Sequence, residues 1–351
     1  MKTTLPRIGY FPYSSSLTAP GDRRRFVAYA RARGLSFELA RPEEKYDLVV
    51  LSALADFSVW PDYPHGKVVF ELIDSYLAVP RTNFKQLFRG LFKYATGAYR
   101  YPVMDFKGAG VSMCQRADAV VCTTEEQKRQ ITAYCGNVHI VLDVHSSVVR
   151  STKQDYKRGE IFRIAWEGLP VNVVQLREIG GVLRELGSRH QLQLDVVTDV
   201  EMPRYFAQFG RVATVDVVRR IYRNSTVHAW HEDTCAKVIC ESDLAVIPID
   251  LTDPFVAGKS ENKLLLLWRM GMPVVTSATP AYRCSMRNAG VNLTCTDAVD
   301  WLRTLKKLMV DEDLRREAGM RGKAYAEANF GESMVLAAWD SVFSSIGYVF
   351  N

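Results

Sequence analysis

The chain has 351 residues, 48% of them hydrophobic and 24% charged, with a net charge of +6. This length exceeds one ordinary core and suits two α/β domains. The mild basic bias fits a partner carrying phosphates and is too small to require nucleic acid.

In chain order, apolar strand candidates fall at Arg7–Phe11, Leu35–Ala40, Tyr46–Leu51, Lys67–Leu72, Ala119–Cys122 and Val138–Leu142. Helical stretches such as Arg23–Arg33 and Thr124–Cys135 lie between them, the second opening on the capping-box pair Thr124 and Gln127. Residues 151–160 contain almost nothing apolar and are the expected linker. The rhythm then restarts, with strands at Phe162–Trp166, Gln193–Thr198, Thr226–Trp230, Leu244–Pro248, Pro273–Thr276 and Val291–Thr294. Helices are predicted at Val173–Leu186, Thr234–Glu241, Ser260–Met270, Ala298–Val310, Glu312–Asn329 and Glu332–Ile346. Short buried strands alternating with helices predict parallel, doubly wound sheets. The expected organisation is a Rossmann-like domain over 1–150, the linker, a second over 161–331, and a C-terminal helix over 332–351 returning to the first domain.

The seven cysteines include no CxxC and no Cys/His cluster at zinc spacing. Reduced, mostly buried thiols and no metal site are therefore expected. No run reaches the roughly 18 apolar residues of a membrane span. No charged and apolar leader precedes the first strand, so a cytoplasmic location is expected.

The strongest local signal runs from Gly258 through Lys-Ser-Glu-Asn-Lys-Leu-Leu-Leu-Leu-Trp-Arg-Met-Gly-Met-Pro-Val to Val275. Ser260 is a good N-cap, so a helix is predicted to start there, stop near Gly271 and lead into a buried strand. Lys259 and Lys263 then sit at the positive end of the helix dipole, where an uncompensated cation costs about 0.3–1 kcal/mol. A bound anion would turn both into ligands; otherwise they are solvated lysines on a Leu-rich helix. The second signal is Ile164-Ala-Trp-Glu-Gly-Leu-Pro170, whose Gly168 sits at a strand-to-helix turn.

The order Trp-Glu-Gly, Asp243-Leu-Ala-Val-Ile-Pro-Ile, Gly-Lys-x-x-x-Lys-Leu-Leu and Gly-Met-Pro-Val-Val resembles glycosyltransferase family four, in its divergent bacterial branch. The likeness is clear over roughly residues 160–335. It implies a GT-B fold, two Rossmann-like domains facing a cleft, with a nucleotide-diphosphate sugar of UDP or GDP type bound by the second. It places Gly168, Lys259 and Lys263 at the donor diphosphate, with Ser260 and Asn262 at the same helix start and Trp230 or His231 at the nucleobase. It further implies retaining sugar transfer without metal or other cofactor, Lys259 and Lys263 stabilising the leaving group. The acceptor would be a glycan or lipid-linked glycan of a surface polysaccharide. Relatives commonly carry two glutamates with seven residues between them; here those positions are Gly258 and Leu266. A non-catalytic nucleotide-sugar binder or partner subunit therefore stays open, as does a sugar-nucleotide epimerase, although no carboxylate pair stands out.

In the first half, Ala19-Pro-Gly-Asp-Arg-Arg-Arg-Phe26 resembles the family's first loop. Gly21, Asp22, Arg24 and Asp74 are its acceptor-side candidates, with the arginines facing cleft or solvent. His65, His139, His145 and His228 read as structural. Within residues 82–107, Phe84, Phe88, Leu91 and Phe92 follow helical spacing beside a basic stripe of Lys85, Arg89 and Lys93. Such a helix either lies on an anionic membrane surface or packs its aromatics inward and leaves its cations in water.

Overall fold

A computed structural model describes residues 6–80, 84–203 and 210–350, with only the backbone for 84–87 and 203. The chain divides into two compact units, residues 1–144 with 332–351, and residues 145–331.

The first unit is built on a six-stranded sheet of β1 (Ile8–Phe11), β2 (Glu38–Leu39), β3 (Leu48–Leu51), β4 (Lys67–Glu71), β5 (Ala119–Cys122) and β6 (Val138–Ile140). Their order is β2-β1-β3-β4-β5-β6, every pairing parallel. β3 and β5 are buried along their whole length, as expected of strands covered on both faces. Ahead of the helix Glu125–Ile131, the Thr124 hydroxyl accepts from the Gln127 N–H at 3.1 Å, but the Gln127 side-chain oxygen takes the Thr123 N–H. The capping box therefore closes one residue early.

The final helix, Glu332–Ser345, belongs to this unit. Its Val335, Trp339, Val342 and Phe343 join Tyr10, Phe26 and Tyr29 in one core. Phe343 stacks on Tyr29 at 5.2 Å and Trp339 meets Phe26 edge-on at 6.2 Å. Asp340 accepts from the Tyr29 hydroxyl and from Arg33.

Two arginines of the triplet, Arg24 and Arg25, are buried, while Arg23 is half-buried. Arg25 bonds Glu71 at the end of β4, together with the Val141 carbonyl and Asp143 after β6. Tyr13 donates to the same Glu71 carboxylate at 3.0 Å. Burial pushes the Glu71 carboxyl above its usual range, with Arg25 pulling in the opposite sense. The carboxylates at the strand ends thus draw the arginine inward, because a buried charge requires a partner.

The segment 82–107 differs from the placement with inward aromatics and solvated cations. Residues 82 and 83, and the side chains of Phe84 and Lys85, lie outside the described residues. In the helix Phe84–Ala95, Arg89 and Lys93 face inward and Phe88 is 60% exposed. The Lys93 ammonium lies over Tyr99 at 4.6 Å and over Phe57 and Phe106 at 5.5 Å each. Arg89 covers Tyr76 at 4.6 Å. Ring faces attract cations, so this aromatic pocket takes up Arg89 and Lys93. Burial also lowers the Lys93 pKa to about 8.

The second unit has a six-stranded sheet of β7 (Phe162–Glu167), β8 (Leu192–Thr198), β11 (Ser225–Ala229), β12 (Leu244–Ile247), β13 (Val274–Ser277) and β14 (Thr294–Cys295). Beside it is a small antiparallel pair, β9 (Glu201–Pro203) with β10 (Arg211–Ala213). The main sheet is parallel in the order β11-β8-β7-β12-β13-β14. Numbered within the unit this is 3-2-1-4-5-6, the dinucleotide-fold order, which reverses between β7 and β12. Residues 151–160 lie in this unit as a strap. Tyr156 is buried with its hydroxyl on the Gly271 carbonyl at 2.7 Å, and its own carbonyl accepts from Arg315.

The helix Asn262–Arg269 is held by its four buried leucines and by Trp268. A Cβ on Gly322, in the helix Glu312–Phe330, would stand 2.3 Å from the Trp268 ring. Glycine is what allows that approach. Gly322→Ala is expected to cost about 1–3 kcal/mol through overpacking, read as a lower urea midpoint; an unchanged midpoint would mean the helices can separate freely. Lys93 supplies a pH test. Its folded pKa lies below the unfolded one, so its burial becomes more favourable as pH rises from about 8 toward the unfolded value. Over that window wild type should gain stability relative to Lys93→Met, and parallel unfolding midpoints would contradict this.

Candidate functional site

In open parallel sheets ligands bind beyond the carboxyl ends of the strands, where the order reverses. Here that point lies between β7 and β12, and the sequence places its distinctive residues on both sides of it. Gly168 directly follows β7, its N–H bonded to the Val197 carbonyl at 3.2 Å. After β12 the chain runs through the short helix Pro254–Ala257, with Asp253 capping the Phe255 N–H, and into 258–261.

The next helix starts later than expected. Asn262 is its first residue and Glu261 its N-cap, without a side-chain capping bond. Ser260, the expected cap, lies in the connection before it. Residues 259–263 are all half-buried, so the two lysines are not simply solvated. The Lys259 ammonium donates to the Asn172 side-chain oxygen at 3.0 Å. The Lys263 ammonium lies 4.7 Å from the centre of the Trp166 ring. A Cβ on Gly168 would meet that same ammonium at 2.5 Å and the Trp166 ring edge at 3.0 Å.

Gly168, Lys263 and Trp166 are thus in mutual contact, and Lys259 is tied to Asn172 in the turn Pro170–Leu176 after β7. This arrangement concentrates two positive charges at a helix N-terminus, whose first N–H groups lack intrahelical acceptors. It can hold an anion with more than one charge. Of the two glutamate positions in the resembled family, Gly258 is half-buried and Leu266 is core, only 1% exposed. Among the described residues no group of three or more His, Cys, Asp or Glu is arranged to hold a metal ion.

Trp230 follows β11 and is half-buried, its N–H on the Thr198 carbonyl at 3.0 Å; His231 is exposed. Both sit at the carboxyl end of the same sheet as the two lysines. His228 turns to Asp195 at 2.9 Å, a structural pairing that also engages Arg163.

The acceptor-side candidates lie in the first unit. Asp22 is fully buried and accepts from the Tyr10 hydroxyl, the Tyr13 and Ser14 N–H groups and the Ser14 hydroxyl. Its carboxylate pins the loop after β1. Gly21 serves the same loop, since a Cβ there would strike the Tyr13 ring at 2.6 Å. Arg24 is buried with its carbonyl accepting from the Val144 N–H. Asp74 is half-buried after β4, beside Tyr76. Trp166 belongs to the Trp-Glu-Gly motif without a role of its own there, and Asn172, just before a predicted helix, was not singled out by sequence.

No protein-family model matches the sequence, and no curated protein matches it. Solved structures do. HepE of Anabaena, determined with UDP and glucose, superposes with a TM-score of 0.64 at 11% identity, covering 97% of this chain and 100% of HepE. Sucrose-phosphate synthase of Thermosynechococcus elongatus gives 0.58 at 12%, covering 92% of this chain and 76% of its own. WaaG, a glycosyltransferase involved in lipopolysaccharide biosynthesis, gives 0.55 at 13%, covering 95% and 99%. At such identities the likeness is one of fold: this chain is an α/β protein of the GT-B class, with glycosyltransferases among its structural neighbours.

The crowding at Gly168 gives a direct test. Gly168→Ala should displace the Lys263 ammonium and weaken binding of a multiply charged anion such as pyrophosphate roughly tenfold, about 1.4 kcal/mol, by calorimetry. Undiminished affinity would remove Gly168 from the site.

Proposed function

We propose that this chain is a glycosyltransferase of the family-four type, transferring a sugar from a nucleotide-diphosphate donor with retention and without a metal. The observation that carries the reading is the contact of Gly168, Lys263 and Trp166, with Lys259 bonded to Asn172 of the following turn, where the second sheet reverses its order. The donor diphosphate would lie at the start of the helix Asn262–Arg269, with Ser260 and Asn262 beside it and Trp230 or His231 toward the base. HepE was solved with UDP, which makes UDP the first nucleotide to try.

As the sugar leaves, negative charge grows on the diphosphate. Two ammonium groups already in place stabilise that charge more than they stabilise bound donor, which is what raises turnover. The leaving phosphate accepts the acceptor's proton, so no side-chain base is required. Leu266 lies in the core, so the ribose grip of relatives has no equivalent there, and donor affinity would rest on the phosphates. We further propose a glycan or lipid-linked acceptor, as in surface polysaccharide assembly, with Asp74 as the acceptor-side candidate. Any membrane contact of residues 82–107 would rest on exposed Phe88, Tyr94, Tyr101 and Met104; Arg89 and Lys93 are engaged within the unit.

A thermal-shift panel of UDP, GDP, CMP and their sugars, followed by turnover of the responding donor, tests the reading. Ligand at 100 times its dissociation constant adds about 2.7 kcal/mol of stability. Lys263→Ala should lower kcat by roughly 100-fold or more, the scale of losing one transition-state charge partner. Binding without turnover would instead favour a non-catalytic nucleotide-sugar binder. An unchanged kcat in the variant would refute the role of Lys263.

A further inference from the structure

We propose that Trp166 and Asn172 are positioning residues, each holding one of the two lysine ammonium groups where a diphosphate arrives. The inference rests on the donor reading above and extends it to two side chains that reading does not require. A lysine side chain has many rotamers, and an ammonium free to wander supplies little preorganised field. Here Lys263 is restrained from the end of β7 and Lys259 from the turn that follows it. The face of the Trp166 ring sits 4.7 Å from the Lys263 nitrogen, and the Asn172 side-chain oxygen 3.0 Å from the Lys259 nitrogen.

The chemistry of these two partners matters. A ring face attracts the ammonium through its quadrupole without taking up its N–H donors one by one. An amide oxygen accepts one of the three donors and carries no charge. Neither partner neutralises the lysine it holds, so each contact fixes position while preserving charge for an anion. Trp166 is itself immobile, 1% exposed at the end of β7, with its ring edge reaching the Gly168 backbone. Asn172 lies in the turn Pro170–Leu176, half-buried and replaceable without disturbing the core.

The test compares UDP with uridine by calorimetry on the full chain, because their affinity ratio isolates what the phosphates contribute. If wild type binds UDP no tighter than uridine, the diphosphate reading itself fails and this proposal with it. Given a wild-type preference, Asn172→Asp should pair with and neutralise Lys259, lowering the ratio roughly tenfold with uridine affinity unchanged. Trp166→Leu should lower the ratio by a similar factor, whereas Trp166→Phe, which keeps a ring face, should restore most of it. A ratio that stays at the wild-type value in Asn172→Asp and in a folded Trp166→Leu would overturn the assignment. So would an equal loss of UDP and uridine binding, which is the signature of a merely structural role. Should Trp166→Leu fail to fold, the outcome for Asn172→Asp decides.

Discussion

Two ammonium groups at the positive end of one helix are the constraint around which the second unit is arranged. Like charges gathered there are unfavourable in isolation and useful beside an anion. The helix Asn262–Arg269 must therefore be fixed by other means. Its four leucines are buried, its Trp268 seats against Gly322, and its carboxyl end is tied to the strap at Tyr156. The apolar burial holds the helix so that its first turn can be devoted to charge.

The first unit solves a related problem with the opposite arrangement. Its charges at the strand ends are buried and matched internally, Arg25 with Glu71 and Asp143, and Asp22 with the loop Tyr13–Ser14. Such networks fix loops because breaking one leaves a buried charge unpaired. The helix Glu332–Ser345 completes the same unit with aromatic stacking, so the end of the chain is part of the core formed by its beginning.

Much of the fold was legible because strand and helix periods leave a direct imprint on sequence. β5, at Ala119–Cys122, and the helix Ala298–Val310 fall where predicted, since their boundaries are set by local patterning and caps. The small pair β9–β10 was not predicted, being three residues a strand. The N-cap of the helix at Asn262 falls one residue later than expected, on Glu261 and not Ser260. The inward turn of Arg89 and Lys93 was hidden for a deeper reason. Helical spacing reports which residues share a face, but not that Phe57, Tyr76, Tyr99 and Phe106, distant in sequence, build a pocket that prefers cations. Gly168, Lys259 and Lys263 stood out by motif. Trp166 stood in the same motif without a role and Asn172 did not stand out, since both make their contacts with residues distant in sequence.

The most direct test of the central claim is a crystal structure of the chain with UDP. The account predicts the diphosphate at the Gly168 backbone with the Lys259 and Lys263 ammonium groups within hydrogen-bonding distance of its oxygens. A nucleotide bound elsewhere, or one whose phosphates leave both lysines untouched, would contradict it.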